Sequence, residues 1–358
     1  MSINLVKLLV NCSEKSANIA RRIRADPNLL SLLTQEKAED ANPRFVKDFK
    51  TLADVLIQET IRYYVSNEFP ELENHILGEE SSQFTNSLGD FTIVTIGPTQ
   101  EETKSCLEKV LDGDSVASEI LAEEVHKEVD YYSEDLGDIP KLPEIDYSKL
   151  GIIIDPIDAT KEYIDGETVF SDFPGITSSG LDCVTVLIGV FDRETGTPLI
   201  GVINQPFHKK LSNNSYESKV FWGISTETLK ANNILKSEEV KNIAIFSTSE
   251  DSQVLDKVKE KNYELAFSAG AGHKVLKVIL NDAKFFLLSK GSTYKWDTCA
   301  PHAILNSLGG GILDLRESLK AKKAVNLIYS SGKANSNGIF AYQKESDLEE
   351  LFSLNLSI

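Results

Sequence analysis

The chain has 358 residues, of which 41% are hydrophobic and 26% are charged, and its formal net charge is −18. This composition is typical of a globular protein with a substantial core, in one large domain or two closely packed ones. The acidic excess argues against a nonspecific nucleic-acid binder and against docking on an anionic membrane, because both need concentrated Lys and Arg.

The four cysteines, Cys12, Cys106, Cys183 and Cys299, form no CxxC pair, so the sequence predicts neither a zinc cluster nor a disulfide framework. No stretch has the pattern of a secretory signal, and none approaches the roughly 20 apolar residues of a membrane span. We therefore expect a cytoplasmic protein with reduced thiols.

The first sixty residues are expected to be largely helical. Apolar residues at helical spacing predict one helix over residues 2–24 and a second from Phe45 to about Ser66. Asp54 lies in the second helix between apolar neighbours, where a half-buried carboxylate usually has a partner. Taken alone, a surface charge or a salt bridge between helices is the simpler interpretation.

Acidic residues follow in two places. Glu79 and Glu80 come after Ile76, Leu77 and Gly78, and by themselves they are more typical of a solvated loop than of a ligand pair. Residues 100–146 are acidic throughout, and because charge runs are usually exposed faces, we predict a helical excursion and a solvated loop there.

The most informative segment is Gly151–Thr160, in which a strand predicted over Gly151–Ile154 leads into Asp155-Pro156-Ile157-Asp158. Because Pro156 fixes its own φ at about −65° and restricts the preceding residue, the sequence predicts a turn with two carboxylates at its mouth. Carboxylates crowded in this way favour a bound Mg²⁺, Mn²⁺ or Ca²⁺. The alternative is an ordinary turn in which Asp155 caps a helix.

Further strands are predicted over Val184–Phe191 and Leu199–Asn204, and the last third alternates strand and helix, which implies helices layered on a sheet. The elements predicted there are Ile243–Phe246, Asp251–Lys259, Gly272–Leu280, Lys284–Leu288, Asp297–Leu308 and Gly311–Leu313. Neither a GxxxxGK[ST] nor a GxGxxG motif is present, so nucleotide-dependent kinases and dehydrogenases lose support. Asp297 opens its helix, where it could serve only as a cap.

Although each signal is weak alone, four separated motifs occur in the order Asp54, Gly78-Glu79-Glu80, Asp155 to Thr160, and Trp296-Asp297, and this order is informative. Together they resemble the lithium-sensitive, magnesium-dependent phosphomonoesterases typified by inositol monophosphatase. The resemblance runs to about Gly311 and implies an α/β (α+β) fold, the layered α/β/α/β/α sandwich of the inositol monophosphatase/fructose-1,6-bisphosphatase type.

The same resemblance implies one catalytic unit, 1–358, made of two closely packed subdomains. The first, about 1–205, would contain the N-terminal helices, the large sheet and the metal site. The second, about 206–358, would contribute Asp297 and a substrate loop.

The implied cofactor is Mg²⁺, as two or three ions, with Li⁺ as an inhibitor. Glu79, Asp155 and the backbone carbonyl of Ile157 would hold a first ion, while Asp155, Asp158 and Asp297 would hold a second. In a two-ion site of this kind, the cations flank the phosphate and activate the attacking water.

Three residues are implied in catalysis by the resemblance. Asp54, which is also a metal-site residue, would pair with Thr160 to orient the attacking water and take its proton, and Glu79 would act through its metal. Glu80 would be a secondary metal or lithium-site residue.

Within this superfamily, the chain is more similar to the branch that removes the 1-phosphate of inositol polyphosphates, on the strength of Asp48–Asp54, Cys183–Val190, Gly201–Phe207, Ser268–Gly272 and Lys295–Ala300. That similarity implies inositol 1,4-bisphosphate and inositol 1,3,4-trisphosphate as substrates of a monomeric enzyme. The implied substrate contacts are Asp158, Ala159, Thr160, Thr248, Glu250, Ser268, Gly270, Ala271 and Lys274.

Several alternatives stay open. Family members usually carry Ser or Gly at the position of Ala159, so a hydroxyl contact is lost there while a backbone contact can persist. Residues 268–274 could be a plain glycine-rich loop, and the turn at 247–250 a plain helix cap. A nucleotidase acting on adenosine 3′,5′-bisphosphate is the main rival function, and a noncatalytic metal- or inositol-phosphate-binding protein is the second.

Overall fold

A computed structural model describes residues 4–26, 29–30, 34–36, 49–85, 89–235 and 242–356. The helices of this part of the chain are α1 Leu5–Arg24, α2 Leu52–Glu68, α3 Gln100–Val110, α4 Ser115–His126, α5 Thr160–Asp165, α6 Ser252–Lys259, α7 Ala271–Ile279, α8 Lys295–Leu308, α9 Leu315–Ala321 and α10 Leu348–Ser353. The strands are β1 Thr34–Glu36, β2 Phe49–Thr51, β3 Ile76–Gly78, β4 Gln83–Thr85, β5 Phe91–Ile93, β6 Leu150–Asp158, β7 Val169–Phe170, β8 Thr177–Ser179, β9 Thr185–Asp192, β10 Pro198–Lys210, β11 Tyr216–Ser225, β12 Lys230–Asn232, β13 Ile243–Phe246, β14 Glu264–Phe267, β15 Phe285–Leu288, β16 Gly311–Asp314 and β17 Ile339–Tyr342.

Two large sheets organise the fold. The first has six strands in the order β12-β11-β10-β9-β6-β3, and the second has five in the order β14-β13-β15-β17-β16. Successive side chains of a strand point to opposite faces of its sheet, and both faces of each large sheet pack against a hydrophobic core. In β6, for example, Ile152 and Ile154 join one hydrophobic core while Ile153 joins another.

Three cores stack these sheets between helices. The first lies between the N-terminal helices and one face of the six-stranded sheet. The second holds α7 and α8 between the two sheets, and the third packs α6, α9 and α10 on the outer face of the five-stranded sheet. The layers are therefore α/β/α/β/α, and the predicted fold class is confirmed.

Helix α8 lies unusually close to the first sheet because three paired strands each place a glycine beneath it. Gly201 pairs with both Gly189 and Gly223. A Cβ on Gly201 would lie 2.0 Å from the carbonyl oxygen of Ala300. This close approach sets the position of the N-terminus of α8, which carries Asp297.

The predicted helices and strands of the last third agree with the structure within a few residues, and α1 occupies most of the predicted 2–24 helix. The first sixty residues are less helical than predicted, since β1 and β2 lie among them. The predicted 45–66 helix begins only at Leu52, and residues 45–48 fall outside the described part of the chain.

The predicted subdomain division near residue 205 falls inside β10, and the six-stranded sheet continues to Asn232. A division of the chain between its two sheets remains a proposal, and it would lie after Asn232. Among the described residues, no helix is both long enough and apolar enough to cross a membrane.

Candidate metal centre

Glu79 and Asp155 are brought together by a pair of parallel strands. Gly78 at the end of β3 pairs with Ile154 in β6, and the N–H of Glu79 donates to the carbonyl of Ile154 at 3.1 Å. Parallel strands run in the same direction, so the residues that follow this pair emerge at the same edge of the sheet. The Glu79 charge is close enough to raise the pKa of Asp155.

Asp155 and Asp158 share one side of β6 because of a β-bulge, and the predicted turn at Pro156 is wrong. The strand continues to Asp158, but between the pairs Asp155↔Leu187 and Asp158↔Thr185 it contains one residue more than β9 does. Residues three apart in a regular strand point to opposite faces, and one extra residue reverses that relation. Pro156, which has no N–H to donate, lies in the bulge.

Asp297 adds the third carboxylate from the start of α8. Its Oδ2 accepts a hydrogen bond from the backbone N–H of Tyr294 at 2.5 Å, as the third residue of a capping box does. One ligand atom from each of Asp155, Asp158 and Asp297 lies within 4.8 Å of the others. The cap and the ligand interpretations of Asp297 are compatible, because the cap uses Oδ2 and a carboxylate has a second oxygen.

Asp54 has the same position in its own helix. It is the third residue of α2, fully buried, and its Oδ2 accepts from the N–H of Thr51 at 2.6 Å and from the Thr51 hydroxyl at 2.7 Å. The sequence predicted Thr160 as the hydroxyl paired with Asp54, whereas the Thr160 hydroxyl donates to the carbonyl of Ile157 at 3.0 Å. A carbonyl oxygen has two lone pairs, so this bond is compatible with a cation at the Ile157 carbonyl.

Asp158 joins the cluster to helix α7. Its carboxylate accepts from the N–H of Ala271 at 3.1 Å, from the N–H of Gly272 at 2.9 Å and from the Thr185 hydroxyl at 3.2 Å. Gly270 has a φ of 71°, and a Cβ there would lie 2.9 Å from Asp158 Oδ2. A glycine is therefore required for α7 to begin against this carboxylate.

The electrostatics of the cluster fit a divalent cation. Burial raises the pKa of Asp155 well above its ordinary range, and the charges of Glu79, Asp158, Asp297 and Asp54 raise it further. Burial and the Asp158 charge likewise raise the pKa of Asp297. Asp155 Oδ1 is buried and has no hydrogen-bond partner within the described part of the chain. An all-oxygen set of crowded carboxylates is the ligand chemistry that Mg²⁺ uses.

Lys274, predicted to meet a substrate phosphate, is buried beside this cluster. Its ammonium donates to the carbonyls of Ser268 at 3.1 Å and Gly270 at 2.6 Å, and it lies 5.3 Å from the ring centroid of Phe286. Its charge lowers the pKa of Asp158 against the larger effect of burial. Lys274 thus organises the loop and partly compensates the carboxylates.

The other predicted substrate contacts differ in burial: two are buried and hydrogen-bonded within the protein, and one is exposed. The Ser268 hydroxyl is buried and donates to the carbonyl of Thr177 at 2.6 Å. Glu250 is also buried, and its carboxylate accepts from the N–H of Ser289 at 2.9 Å and from that of Asp251 at 2.8 Å. Thr248 is exposed at the end of β13.

Ala159 and Ala271 lie at the starts of α5 and α7, and both are partly exposed. Ala159 has a φ of 69°, a left-handed conformation that costs an L-residue about 1–2 kcal/mol.

Glu80 is partly buried, and both its N–H and its carbonyl bind the Gln58 side chain.

Three residues that contact the site were missed by sequence reasoning. Thr51 could have been found, since Thr followed three residues later by an acid is a capping pattern. Thr185 and Gln58 carry no comparable signal, because their roles depend on strand register and helix packing.

Comparison with known proteins places this geometry in a family. The family model described as "Inositol monophosphatase family" matches residues 94–348. Inositol polyphosphate 1-phosphatase from Bos taurus is 40% identical over 387 aligned positions, which cover 98% of this chain and 96% of the bovine protein. Human 3′(2′),5′-bisphosphate nucleotidase 1 is 26% identical, with 92% of this chain and 89% of that protein covered.

Among solved structures, the extragenic suppressor protein suhB from Bartonella henselae superposes with a TM-score of 0.57 at 14% identity, covering 99% of each chain. This likeness concerns the fold alone. It agrees with the layered sandwich described above. The chain belongs to the inositol monophosphatase family.

Proposed function

We propose that this chain is a Mg²⁺-dependent phosphatase that removes the 1-phosphate from inositol polyphosphates, with inositol 1,4-bisphosphate and inositol 1,3,4-trisphosphate as substrates. The observation that carries the proposal is the buried trio Asp155, Asp158 and Asp297. The similarity to inositol polyphosphate 1-phosphatases over nearly the full length of the chain supports this substrate class over the nucleotide.

In this proposal Glu79, Asp155 and the carbonyl of Ile157 hold one Mg²⁺, and Asp155, Asp158 and Asp297 hold a second. When bound, the cations lower the pKa of water and neutralise phosphate charge. The bulge in β6 and the start of α8 keep these carboxylates in place before any ligand arrives.

The proton-transfer role falls to Asp54, with Thr160 as the predicted partner. Thr51 holds one oxygen of Asp54, which orients the carboxylate and makes it a fixed acceptor for a proton from water. Thr160 begins α5 directly after the carboxylate pair. The same proposal includes lithium inhibition, a count of two or three Mg²⁺ ions, Glu80 as a secondary metal or lithium-site residue, a monomeric state and a cytoplasmic location.

The test is phosphate release from inositol 1,4-bisphosphate and from adenosine 3′,5′-bisphosphate, measured in parallel with Mg²⁺, with EDTA and with added Li⁺. Release from the inositol substrate that EDTA abolishes and Li⁺ depresses is the expected result. Preferential release from the nucleotide would make adenosine 3′,5′-bisphosphate the substrate instead. Mg²⁺ binding without any release would support a noncatalytic binder. Asp54→Asn separates these cases, since it should remove turnover and spare phosphate binding.

A further inference from the structure

Helix α2 carries three polar side chains at four-residue spacing, Asp54, Gln58 and Arg62, which places them along one face. Asp54 is the first of them and belongs to the proposed metal site. Arg62 is the last, and its Nη1 donates to the carbonyl of Ile76 at 2.7 Å. Between them, Gln58 contacts the residue next to Glu79.

Gln58 binds the backbone of Glu80 through both ends of its side-chain amide. Its Nε2 donates to the Glu80 carbonyl at 2.6 Å, and its Oε1 accepts from the Glu80 N–H at 2.9 Å. A longer bond of 3.3 Å joins Nε2 to Glu59. Gln58 is fully buried, and the Glu80 backbone provides the shortest bond at each end of its amide.

Gly78 provides the space for this amide. A Cβ at that position would lie 1.8 Å from Gln58 Oε1 and 2.1 Å from its amide carbon. Gly78 is also the residue that pairs with Ile154. The amide of Gln58 therefore lies directly beside the strand pair that sets Glu79 next to Asp155.

We propose that Gln58 is a positioning residue of the metal centre, which fixes the Glu79–Glu80 backbone relative to Asp54 and Asp155. The proposal rests on the proposed function, because it takes Glu79 as a Mg²⁺ ligand. Side chains that orient a ligand without touching the metal typically change metal affinity about 10–100-fold when they are lost. Gln58 can have this effect because it lies on the same helix as Asp54 and binds the backbone next to Glu79.

The test is calorimetric titration of Mg²⁺ into the full chain and its variants, with the melting temperature of each followed by circular dichroism. Gln58→Met keeps the length of the side chain but removes both bonds to Glu80, and it should weaken Mg²⁺ binding at least about tenfold. Gly78→Ala keeps Gln58 but displaces its amide, and it should have the same effect. The second variant provides the same measurement if Gln58→Met does not fold.

Arg62→Met is the matched control, since it removes a hydrogen bond from the same helix to the same segment, three residues before Glu79. It should lower the melting temperature and leave Mg²⁺ affinity unchanged. Unchanged affinity in folded Gln58→Met or Gly78→Ala would overturn the proposal, as would an equal loss in the Arg62 control. Failure of the unsubstituted chain to bind Mg²⁺ would instead overturn the proposed function.

Discussion

The carboxylate cluster and the loop Ser268–Lys274 lie against each other, but their polar groups differ in how they are satisfied. In the cluster, Asp155 Oδ1 is buried without a hydrogen bond from any described residue, and burial beside other acids raises the pKa of Asp155. In the loop, the Ser268 hydroxyl and the Lys274 ammonium donate to backbone carbonyls of the protein itself.

The difference separates two kinds of predicted site residue. Crowded, buried carboxylates with raised pKa values favour a bound cation that neutralises their charge. Buried groups that already have partners contribute shape and local charge instead. Asp158 belongs to both regions, because it is a member of the cluster and accepts hydrogen bonds from the start of α7.

Asp155→Asn should have the largest effect, since Asp155 is the carboxylate surrounded by the others. We expect Mg²⁺-dependent phosphate release to fall by more than about 100-fold, because even residues beyond the ligands cost up to that much. Mg²⁺ should also cease to raise the melting temperature. Retained turnover in this variant would remove Asp155 from the metal centre.

In the metal-free protein, the same variant should increase the stability of the fold at neutral pH. Because the folded-state pKa of Asp155 is raised, the folded chain keeps a proton that the unfolded chain loses above about pH 4. Its contribution to stability is therefore lost as the pH rises toward the folded-state pKa. In EDTA, the melting temperature of Asp155→Asn should rise relative to that of the unsubstituted chain between pH 5 and pH 8. An equal difference in melting temperature at both pH values would contradict this.

Lys274→Met should have the next largest effect, because it removes two hydrogen bonds and a charge that lowers the pKa of Asp158 and Asp297. Without that charge both pKa values rise, so protons compete better with Mg²⁺ at low pH. The lysine charge also repels Mg²⁺ itself, so we expect the clearest change in the pH dependence: Mg²⁺ affinity at pH 6 relative to that at pH 8 should fall by up to about tenfold, the effect of one pKa unit. A loss confined to the KM for substrate would favour the predicted phosphate contact instead.

Ser268→Ala should mainly lower stability, by about 1 kcal/mol, because its hydroxyl is buried and satisfied by Thr177. Urea unfolding and the KM for inositol 1,4-bisphosphate would be measured on the same preparation. A KM within about threefold of the unsubstituted enzyme is expected, which is well below the cost of losing a charged hydrogen bond. A large rise in KM without loss of stability would restore Ser268 as a direct substrate contact.

Thr248→Val should have the smallest effect on the fold, within about 0.5 kcal/mol, because Thr248 is exposed. An exposed hydroxyl can contact substrate without a folding role, so a rise in KM of a few-fold is expected. An unchanged KM would remove Thr248 as a substrate contact; the turn at 247–250 is not the predicted helix cap either, because Asp251 caps α6 through the N–H of Gln253.

The sequence by itself determined the family, which the comparisons confirm. The order of Asp54, Glu79, Asp155 and Asp297 indicated an acidic metal centre, and the structure brings Asp155 and Asp297 together with Asp158. Periodicity located most elements of the last third, because their apolar faces are strongly patterned. The strands of the two large sheets that were not predicted are β3, β11, β12, β14 and β17.

Only the tertiary structure decided how these residues meet. The bulge that puts Asp155 and Asp158 on one side depends on the register between β6 and β9. The partners of Asp158 and Glu80 come from residues 113 and 22 positions away in the chain. No local pattern encodes such contacts, because burial, register and the close approach of helices to glycines arise only when the layers pack.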